Sequence, residues 1–381
     1  MRGKARQFLL ALTAILLSIV GTLVVAEIVL RFLPVNEGLR AQPVNAANPV
    51  FRFEPNRTPV WSEGWDFAIV NRVHVNNDGF VNDRDYDASA TTPLLAVIGD
   101  SYIEAGMVPF ANTVGGRLAK DVGDRGRVYT FAASGAGLTQ YLVWANYARA
   151  QYHPNGYVIN VIANDFGESL WHRGRSPGFH HFERMPDGSA VMRRVDYEPS
   201  FWRQMLRRSA LAMYLVTNMR VQQTLNFSTW NLSSKDRRWS ANVAYESSEM
   251  EFADYRWAVD RFLDALPAAT GVPYENIVLV FDGIRPDMYD PKLAADATKG
   301  TWGVMRAYVM EQAAARGIGV VDLQPVFVAS YAQNGQRFEF ATDGHWNSLG
   351  HQLAAEAIEA MPMFQRLFAP RQTSIGGPSG G

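Results

Sequence analysis

The sequence predicts an α/β fold, a flavodoxin-like three-layer sandwich with a central parallel sheet, an N-terminal transmembrane helix and an insertion. Short, β-branched apolar runs alternate with stretches of helical periodicity. Continuous apolar runs are typical of strands buried on both faces, and the alternation is the pattern of βαβ units. A third observation, an uncharged apolar segment near the N-terminus, predicts the transmembrane helix.

The predicted strands are residues 94–98, 128–132, 157–162, 276–281 and 320–323, and the predicted helices lie near 139–150, 251–266, 302–316 and 348–360. Residues 166–250 interrupt this alternation and are rich in arginine and aromatic residues. They predict an insertion that either forms a lid or packs on the core as a helical unit. Met185-Pro186-Asp187-Gly188 predicts a hairpin turn within it.

Composition indicates a globular protein and excludes several classes. The chain has 381 residues, of which 48% are hydrophobic and 19% are charged, so it can bury a substantial core. Its 36 Lys and Arg residues balance 37 Asp and Glu residues, which leaves no basic excess for binding nucleic acid. Because cysteine is absent, disulfides, thiolate metal sites and a cysteine nucleophile are excluded.

Residues 8–26 form the uncharged apolar segment, and Arg2, Lys4 and Arg6 precede it. A helix of this length nearly spans a hydrocarbon core of about 30 Å. The basic flank predicts a single-pass anchor with its N-terminus in the cytoplasm and the remaining chain on the other, periplasmic side. Val24-Val25-Ala26 also resembles a signal cleavage site, so secretion after cleavage near Ala26 stays open.

The resulting division is an anchor at 1–33, a juxtamembrane segment with lead-in strands at 34–90, a main domain at 91–368 with the insertion at about 166–250, and a tail at 369–381. Five prolines among polar residues predict that 34–60 is an extended spacer with little core. The tail is rich in glycine and nearly devoid of apolar residues, which predicts disorder.

Candidate catalytic residues follow the predicted strands, where ligands bind in an open parallel sheet. Ser101 follows the first strand, Gly135 the second and Asn164 the third, whereas Asp343 and His345 precede the last helix. These residue types are sufficient for acyl transfer: a serine nucleophile, an imidazole base, a carboxylate that orients it, and oxyanion donors from two backbone N–H groups, those of Ser101 and Gly135, and one amide. Taken singly, a serine after Asp at a strand end is more often a helix cap, and the other residues are also compatible with caps or turns.

Four segments resemble the blocks of the SGNH, or GDSL-type, serine hydrolases in their order: Gly99-Asp100-Ser101-Tyr102, Ser134-Gly135, Ala163-Asn164-Asp165 and Asp343-Gly344-His345. The resemblance covers residues 94–360 without the insertion. It implies that Ser101 is the nucleophile, that Gly135 and Asn164 complete the oxyanion hole, and that His345 is the base. The segment from Asn76 to Phe80 also resembles an Asn-x-x-Gly-Phe motif of membrane-anchored members.

The resemblance has three departures. Tyr102 stands where leucine is common, Ile162 stands where many members have glycine, and Asp343 lies one residue closer to His345 than the usual Asp-x-x-His spacing. Asp343 is therefore the least well supported of the expected site residues.

Residues 342–346 also resemble periplasmic polysaccharide O-acetyltransferases, although there Asp and His precede the serine in the chain. The leading interpretation is an exported esterase that removes acyl groups, chiefly acetyl, from a carbohydrate or envelope glycan. The alternatives are an O-acetyltransferase and an inactive glycan-binding or complex subunit. No metal or organic cofactor is expected. The expected partners are an acylated carbohydrate, the membrane and envelope polysaccharide-modification proteins.

Other residues compete for these roles. Ser134 lies in an imperfect Gly-x-Ser-x-Gly motif, and His351 is a second histidine near the base. A group of three histidines lacks metal-ligand spacing and is expected on the surface of the insertion: His172, His180 and His181. One or two of five tryptophans are candidates for sugar stacking: Trp171, Trp202, Trp230, Trp239 and Trp346.

Overall fold

The computed structural model describes residues 2–219, 221, 249–285 and 287–369. Its helices are α1 (Arg2–Leu30), α2 (Ser101–Glu104), α3 (Val114–Val122), α4 (Leu138–Tyr152), α5 (Asp165–Glu168), α6 (Phe201–Leu206), α7 (Ala210–Met213), α8 (Glu249–Thr270), α9 (Pro291–Ala297), α10 (Thr301–Ala315), α11 (Leu323–Asn334), α12 (Ser348–Glu359) and α13 (Pro362–Leu367). Its strands are β1 (Val60–Glu63), β2 (Ile69–Arg72), β3 (Leu94–Gly99), β4 (Arg127–Ala132), β5 (Gly156–Val161), β6 (His180–Arg184), β7 (Ala190–Arg194), β8 (Ile277–Phe281) and β9 (Gly319–Asp322).

The central sheet has five parallel strands in the order β4-β3-β5-β8-β9. Numbered along the chain within this sheet, the order is 2-1-3-4-5, which is that of flavodoxin-like folds. The predicted fold class is confirmed, and each predicted strand agrees with the observed one to within one residue at either end. In such a sheet the order reverses between the first and third strands, here β3 and β5, and ligands bind outside that crevice.

Successive residues of β3 point to opposite faces of the sheet, and both faces are covered. Leu94, Ala96 and Ile98 belong to a core shared with α4, α8 and α10. Leu95 and Val97 belong to a core shared with α3, α11, α12 and α13. Both faces of β3 are buried from solvent, so every residue of this strand is apolar or glycine. This explains the continuous apolar run in the sequence.

Helix α3 was not predicted, because its first turn contains two glycines, Gly115 and Gly116, which disfavour an isolated helix. Packing explains them. A Cβ on Gly116 would lie 1.9 Å from the Phe110 carbonyl oxygen, and one on Gly115 would lie 2.4 Å from Thr130 Cγ2. The glycines therefore let α3 approach β4 and the preceding turn closely. The Thr113 hydroxyl caps the helix by accepting from the Gly116 N–H.

The expectation that residues 34–60 form a spacer with little core is wrong. Val44, Phe51 and Phe53 are buried in the core that also contains α4. The Trp144 indole donates a hydrogen bond of 3.0 Å to the Phe51 carbonyl oxygen. The segment lies outside the central sheet, but its apolar side chains still pack in the core that contains α4, which its polar composition did not reveal.

The Asn-x-x-Gly-Phe motif forms a tight turn against this segment. The side-chain oxygen of Asn76 accepts from the Phe80 N–H at 3.0 Å, and Gly79 has a φ of +87°. A Cβ at Gly79 would lie 2.3 Å from the Phe53 carbonyl oxygen, so only glycine fits.

In the insertion, β6 and β7 form an antiparallel hairpin that turns at residues 185–188, as predicted. Helices α6 and α7 follow it, and α7 packs against α1. Residues 222–248, with Trp230 and Trp239, lie outside the described residues, as does the predicted tail from residue 370 onward. Helix α1 is long and apolar enough to be a membrane anchor or a signal sequence.

Candidate active site

Ser101 lies at the point where β3 ends and α2 begins. Asp100 caps that helix by accepting from the Tyr102 N–H at 3.0 Å. The sharp strand-to-helix turn leaves Ser101 half-buried at the carboxyl edge of the sheet, while Asp100 and Tyr102 beside it are fully buried.

His345 and Asp343 meet this serine. The Ser101 Oγ lies 2.7 Å from His345 Nε2, and the other ring nitrogen, Nδ1, is hydrogen-bonded to Asp343 Oδ1. The same Oδ1 accepts from the backbone N–H of His345 at 2.8 Å. The short Asp-x-His spacing still brings the carboxylate to the ring, because the carboxylate folds back onto the N–H two residues later in an Asx turn.

The charges of this pair favour an ion pair. Burial lowers the pKa of His345, but the hydrogen bond to Asp343 and the charges of Asp343 and Asp100 outweigh it and raise the pKa above its ordinary value of 6.5. Burial acts to raise the pKa of Asp343, yet hydrogen bonds from His345 and Glu63 and the charge of His345 hold it well below its usual range. The lowered pKa of Asp343 and the raised pKa of His345 both favour a carboxylate beside an imidazolium.

Asp100 is a second neighbour of the Ser101 hydroxyl, because its Oδ2 lies 3.0 Å from Ser101 Oγ. Burial raises the pKa of Asp100, against opposing hydrogen bonds and the charge of His345. The serine hydroxyl has only one proton to donate. A protonated Asp100 donates to Oγ and leaves the serine proton to His345, whereas an ionised Asp100 competes with His345 for that proton.

Gly135 lies in the loop after β4 and has a φ of +80°, a conformation that glycine adopts without strain. Glu104 at the end of α2 holds this loop, because its carboxylate accepts from the Ser134 N–H at 2.7 Å and from the Ser134 hydroxyl at 3.0 Å. Burial raises the pKa of Glu104 to about 7, although the bonds from Ser134 act to lower it. The loop that holds the second expected oxyanion donor is thus tied to the helix that begins with Ser101.

Asn164 lies between β5 and α5, after the strand on the other side of β3. Its Nδ2 donates to Glu168 Oε2 at 2.9 Å, and its Oδ1 is buried without a hydrogen-bond partner in the part of the chain that the structure describes. An amide nitrogen has two hydrogens, so one stays available for an oxyanion. Burial and the charge of Asp100 raise the pKa of Glu168 to about 8, so this neighbour is mostly neutral at pH 7.

Comparison with known proteins finds matches among solved structures only. No protein-family model and no curated protein matches the chain. A GDSL-like lipase from Bacteroides thetaiotaomicron matches with 13% identity and a TM-score of 0.35 over 71% of this chain and 91% of its own. A member of the lipolytic protein G-D-S-L family from Veillonella parvula matches with 12% identity and a TM-score of 0.35 over 71% and 98%.

TesA matches with 15% identity and a TM-score of 0.36 over 72% of this chain and 99% of its own. The matched structures include SGNH and GDSL-type hydrolases, the superfamily that the four sequence blocks resemble.

A buried network of hydrogen bonds and an ion pair lies behind Ser101, His345 and Asp343, and it was not predicted from the sequence. The Arg285 guanidinium pairs with Asp282 at 2.6 Å and donates to the Tyr102 hydroxyl at 3.1 Å. The Trp346 indole donates to Asp282 at 2.9 Å, and the Tyr102 hydroxyl donates to the Gly344 carbonyl oxygen at 3.3 Å. The network thereby joins the neighbours of Ser101 to the neighbours of His345. Asp282 directly follows β8, so the strand-end rule that found the other candidates also indicates it.

Glu63, the last residue of β1, is a second missed neighbour, because its side chain hydrogen-bonds the Asp343 carboxylate. No signal in the sequence pointed to it, since the lead-in strands expected within residues 34–90 had no stated bounds and Glu63 lies about 280 positions before Asp343 in the chain.

The competing residues take other places. The Ser134 hydroxyl bonds Glu104, and His351 is buried in α12, where its Nδ1 accepts from the Val114 N–H at 3.3 Å. His181 is buried rather than on the surface, because its Nδ1 bonds the Glu168 carbonyl oxygen at 2.6 Å. Among the described residues, no group of three His, Asp or Glu side chains is arranged to hold a metal ion.

Of the tryptophans, Trp346 is fully buried and cannot stack on a sugar. Trp171 is half-buried, and the Arg175 guanidinium lies over its ring at 4.8 Å from the centroid. Trp202 is exposed on α6, which belongs to the insertion. The same insertion contacts α1 through α7.

Proposed function

We propose that this protein is an exported serine esterase that removes acyl groups, chiefly acetyl, from a carbohydrate or cell-envelope glycan. The observation that carries the proposal is the 2.7 Å contact between Ser101 Oγ and His345 Nε2, with Nδ1 of the same ring held by Asp343. A serine nucleophile needs a base at this distance, and the base needs a carboxylate to fix its tautomer.

In the first step, Ser101 Oγ attacks the ester carbonyl and His345 Nε2 takes the hydroxyl proton. The imidazolium is stabilised by ionised Asp343, and the oxyanion accepts from the N–H groups of Ser101 and Gly135 and from Asn164 Nδ2. When the tetrahedral intermediate collapses, His345 protonates the departing alcohol and an acyl-serine remains. Water then attacks with His345 as base, which releases the acid and restores the serine hydroxyl.

Two features support a polar ester as substrate. The side chains at the strand ends on either side of Ser101 are polar, namely Ser134, Asn164 and Glu168, and all three are partly or fully exposed. Polar groups there can hydrogen-bond the alcohol part of an ester. An N-terminal anchor would hold the domain beside the envelope, where acylated glycans occur.

An O-acetyltransferase is the second candidate, and the likeness of residues 342–346 to polysaccharide O-acetyltransferases favours it. The acyl-serine would be the same. The outcome would differ only in whether water or a sugar hydroxyl attacks it.

The test uses the full chain purified in a non-ionic detergent, with p-nitrophenyl acetate as substrate and a fluorophosphonate as covalent label. Ser101→Ala should abolish both hydrolysis and labelling, whereas Ser189→Ala in the β6–β7 turn should behave as wild type. Incubation with an acetylated polysaccharide, with released acetate as the readout, tests whether a carbohydrate ester is the substrate. Product that appears on an added polysaccharide acceptor would favour transfer.

Undiminished labelling of Ser101→Ala would move the nucleophile to Ser134 or elsewhere. A wild-type protein that is neither labelled nor active on acetyl esters would favour the inactive binding subunit.

A further inference from the structure

A cavity of about 310 Å³ lies where α1 ends, between the segment that follows it and the junction of α6 with α7. That volume is at the lower end of the range of about 300 to 1,000 Å³ for small-ligand sites. It lies on the side of the molecule formed by α1 and the insertion, and none of the candidate catalytic residues lines it.

The charge of the lining is strongly unbalanced. Four arginines line the cavity, Arg31, Arg40, Arg207 and Arg208, against one glutamate, Glu37. Glu37 is already engaged, because its carboxylate accepts from the Val60 N–H at 2.9 Å. Arg31 is paired with Glu27, just outside the lining, at 2.7 Å. Arg40, Arg207 and Arg208 still outnumber Glu37, so the cavity attracts an anion.

One guanidinium group of the lining has a donor to spare, because Arg40 Nε is buried and has no hydrogen-bond partner within the described ranges. Arg57, which does not line the cavity, has a buried Nη1 that also has no such partner. Their nearest recorded carboxylate, Glu54, lies 3.9 Å from Arg40 and 3.7 Å from Arg57. Burial and the charges of Arg40 and Arg207 lower the pKa of Arg57, so these cations are close enough to repel one another. A buried donor without a partner is costly, and an anion in the cavity would supply acceptors.

The cavity is fixed to the end of the apolar helix. The Glu27 carboxylate accepts from the Ser209 hydroxyl and from the Leu211 N–H, both at 2.8 Å. Arg31 donates to the Arg208 carbonyl oxygen at 3.2 Å. When α1 crosses a bilayer, its last turn leaves the hydrocarbon, so these contacts hold α6, α7 and the cavity at the level of the lipid head groups.

The surface around the cavity suits that position. Phe32, Phe201 and Trp202 are 85%, 67% and 74% exposed, and Met205 and Leu206 on α6 are also exposed. Aromatic side chains with this exposure are unfavourable in water but are enriched at the boundary between head groups and acyl chains.

We propose that this cavity binds the phosphate group of an anionic membrane lipid, with α6 lying in the membrane interface. Arginine is suited to the role because its fork of N–H groups matches phosphate oxygens and it stays charged. Free phosphate has the same head-group chemistry, but the exposed apolar residues beside the cavity favour a lipid. The proposal depends on α1 being retained as an anchor and does not depend on the esterase activity.

The test measures lipid binding to the full chain by native mass spectrometry in a non-ionic detergent. The ligands are dihexanoyl phosphatidylglycerol, dihexanoyl phosphatidylcholine and inorganic phosphate. One variant carries Arg40→Gln and Arg207→Gln together. A second variant carries only Arg208→Gln, at an exposed arginine. Arg366→Gln is the matched control, since that exposed arginine lies on α13 and bonds the Glu275 carbonyl oxygen. Circular dichroism checks that each variant is folded.

We expect one phosphatidylglycerol molecule to bind, with an affinity about tenfold or more above that of phosphatidylcholine. Each lost arginine should weaken the affinity for phosphatidylglycerol by about tenfold, which is the loss expected for one charged hydrogen bond. Arg366→Gln should bind as wild type. Equal affinity for both lipids, or unchanged affinity in folded Arg208→Gln, would overturn the proposal. Inorganic phosphate that binds as tightly as phosphatidylglycerol would reject the lipid in favour of a free anion.

Discussion

Replacing Asp343 by asparagine tests how the short Asp-x-His spacing works. In the structure a single oxygen, Oδ1, accepts from both the ring Nδ1 and the backbone N–H of His345. The backbone N–H needs an acceptor, so an asparagine should keep its carbonyl oxygen in this position and its amide nitrogen away from the ring. The imidazole should then keep the correct tautomer and lose only the negative charge beside it.

The magnitude follows from that loss. A hydrogen bond to a charged group contributes about 1.5 to 3 kcal/mol, which corresponds to a fall in kcat of about 10- to 150-fold. In a serine-protease triad, the same substitution inverts the tautomer and costs about 10⁴-fold. The shared Oδ1 therefore predicts a smaller loss than in that triad.

The pH profile gives an independent measure. His345 must be neutral to act as base, so kcat/KM falls as the pH drops through its pKa, which lies above 6.5 in the wild type. Asp343→Asn removes the charge that raises this pKa and leaves burial, which lowers it. We expect the acid limb of the profile for p-nitrophenyl acetate to move to lower pH. Ser101→Ala supplies the background rate, and Asp187→Asn in the exposed hairpin turn is the matched control.

Two results would refute the reasoning. A loss near 10⁴-fold would mean that the tautomer inverts and that the backbone N–H does not hold the carbonyl oxygen. A kcat within twofold of wild type, with an unmoved acid limb, would mean that another group orients His345.

Three further predictions follow from the same geometry. Asn164→Ala should lower kcat by about 10²- to 10³-fold with little change in KM, because it removes an oxyanion donor that acts in the transition state; an unchanged kcat would exclude that role. Burial raises the pKa of Glu104 to about 7 from 4.5, so the folded state favours the protonated acid and stability is lost as the pH rises from 4.5 through 7. Glu104→Gln should therefore show a smaller fall in Tm over that interval, and an equal fall would contradict it. The mature protein in membranes should retain residues before Glu27 when sequenced from its N-terminus, and a start at Glu27 would indicate a cleaved signal.

Local patterns in the sequence predicted the layers of this fold. A strand buried on both faces must be apolar throughout, so β3, β5 and β8 were visible as continuous runs, and the helices between them had helical periodicity. The strand ends then indicated Ser101, Gly135 and Asn164, because parallel strands end at one edge of the sheet. Helix α3 escaped prediction, since its glycines serve contacts with β4 that no local pattern records.

Only the tertiary structure decided which side chains meet. Ser101 and His345 are 244 positions apart, and their contact depends on how α2 and the loop before α12 pack. The sequence marked Asp343 as the least supported site residue because of its spacing, whereas in the fold an Asx turn places its carboxylate against the His345 ring. Glu63 and Arg285 reach the site from elements whose packing is not encoded in any local period. Composition and periodicity therefore determine which segments are buried, while the partners of buried polar groups depend on long-range packing.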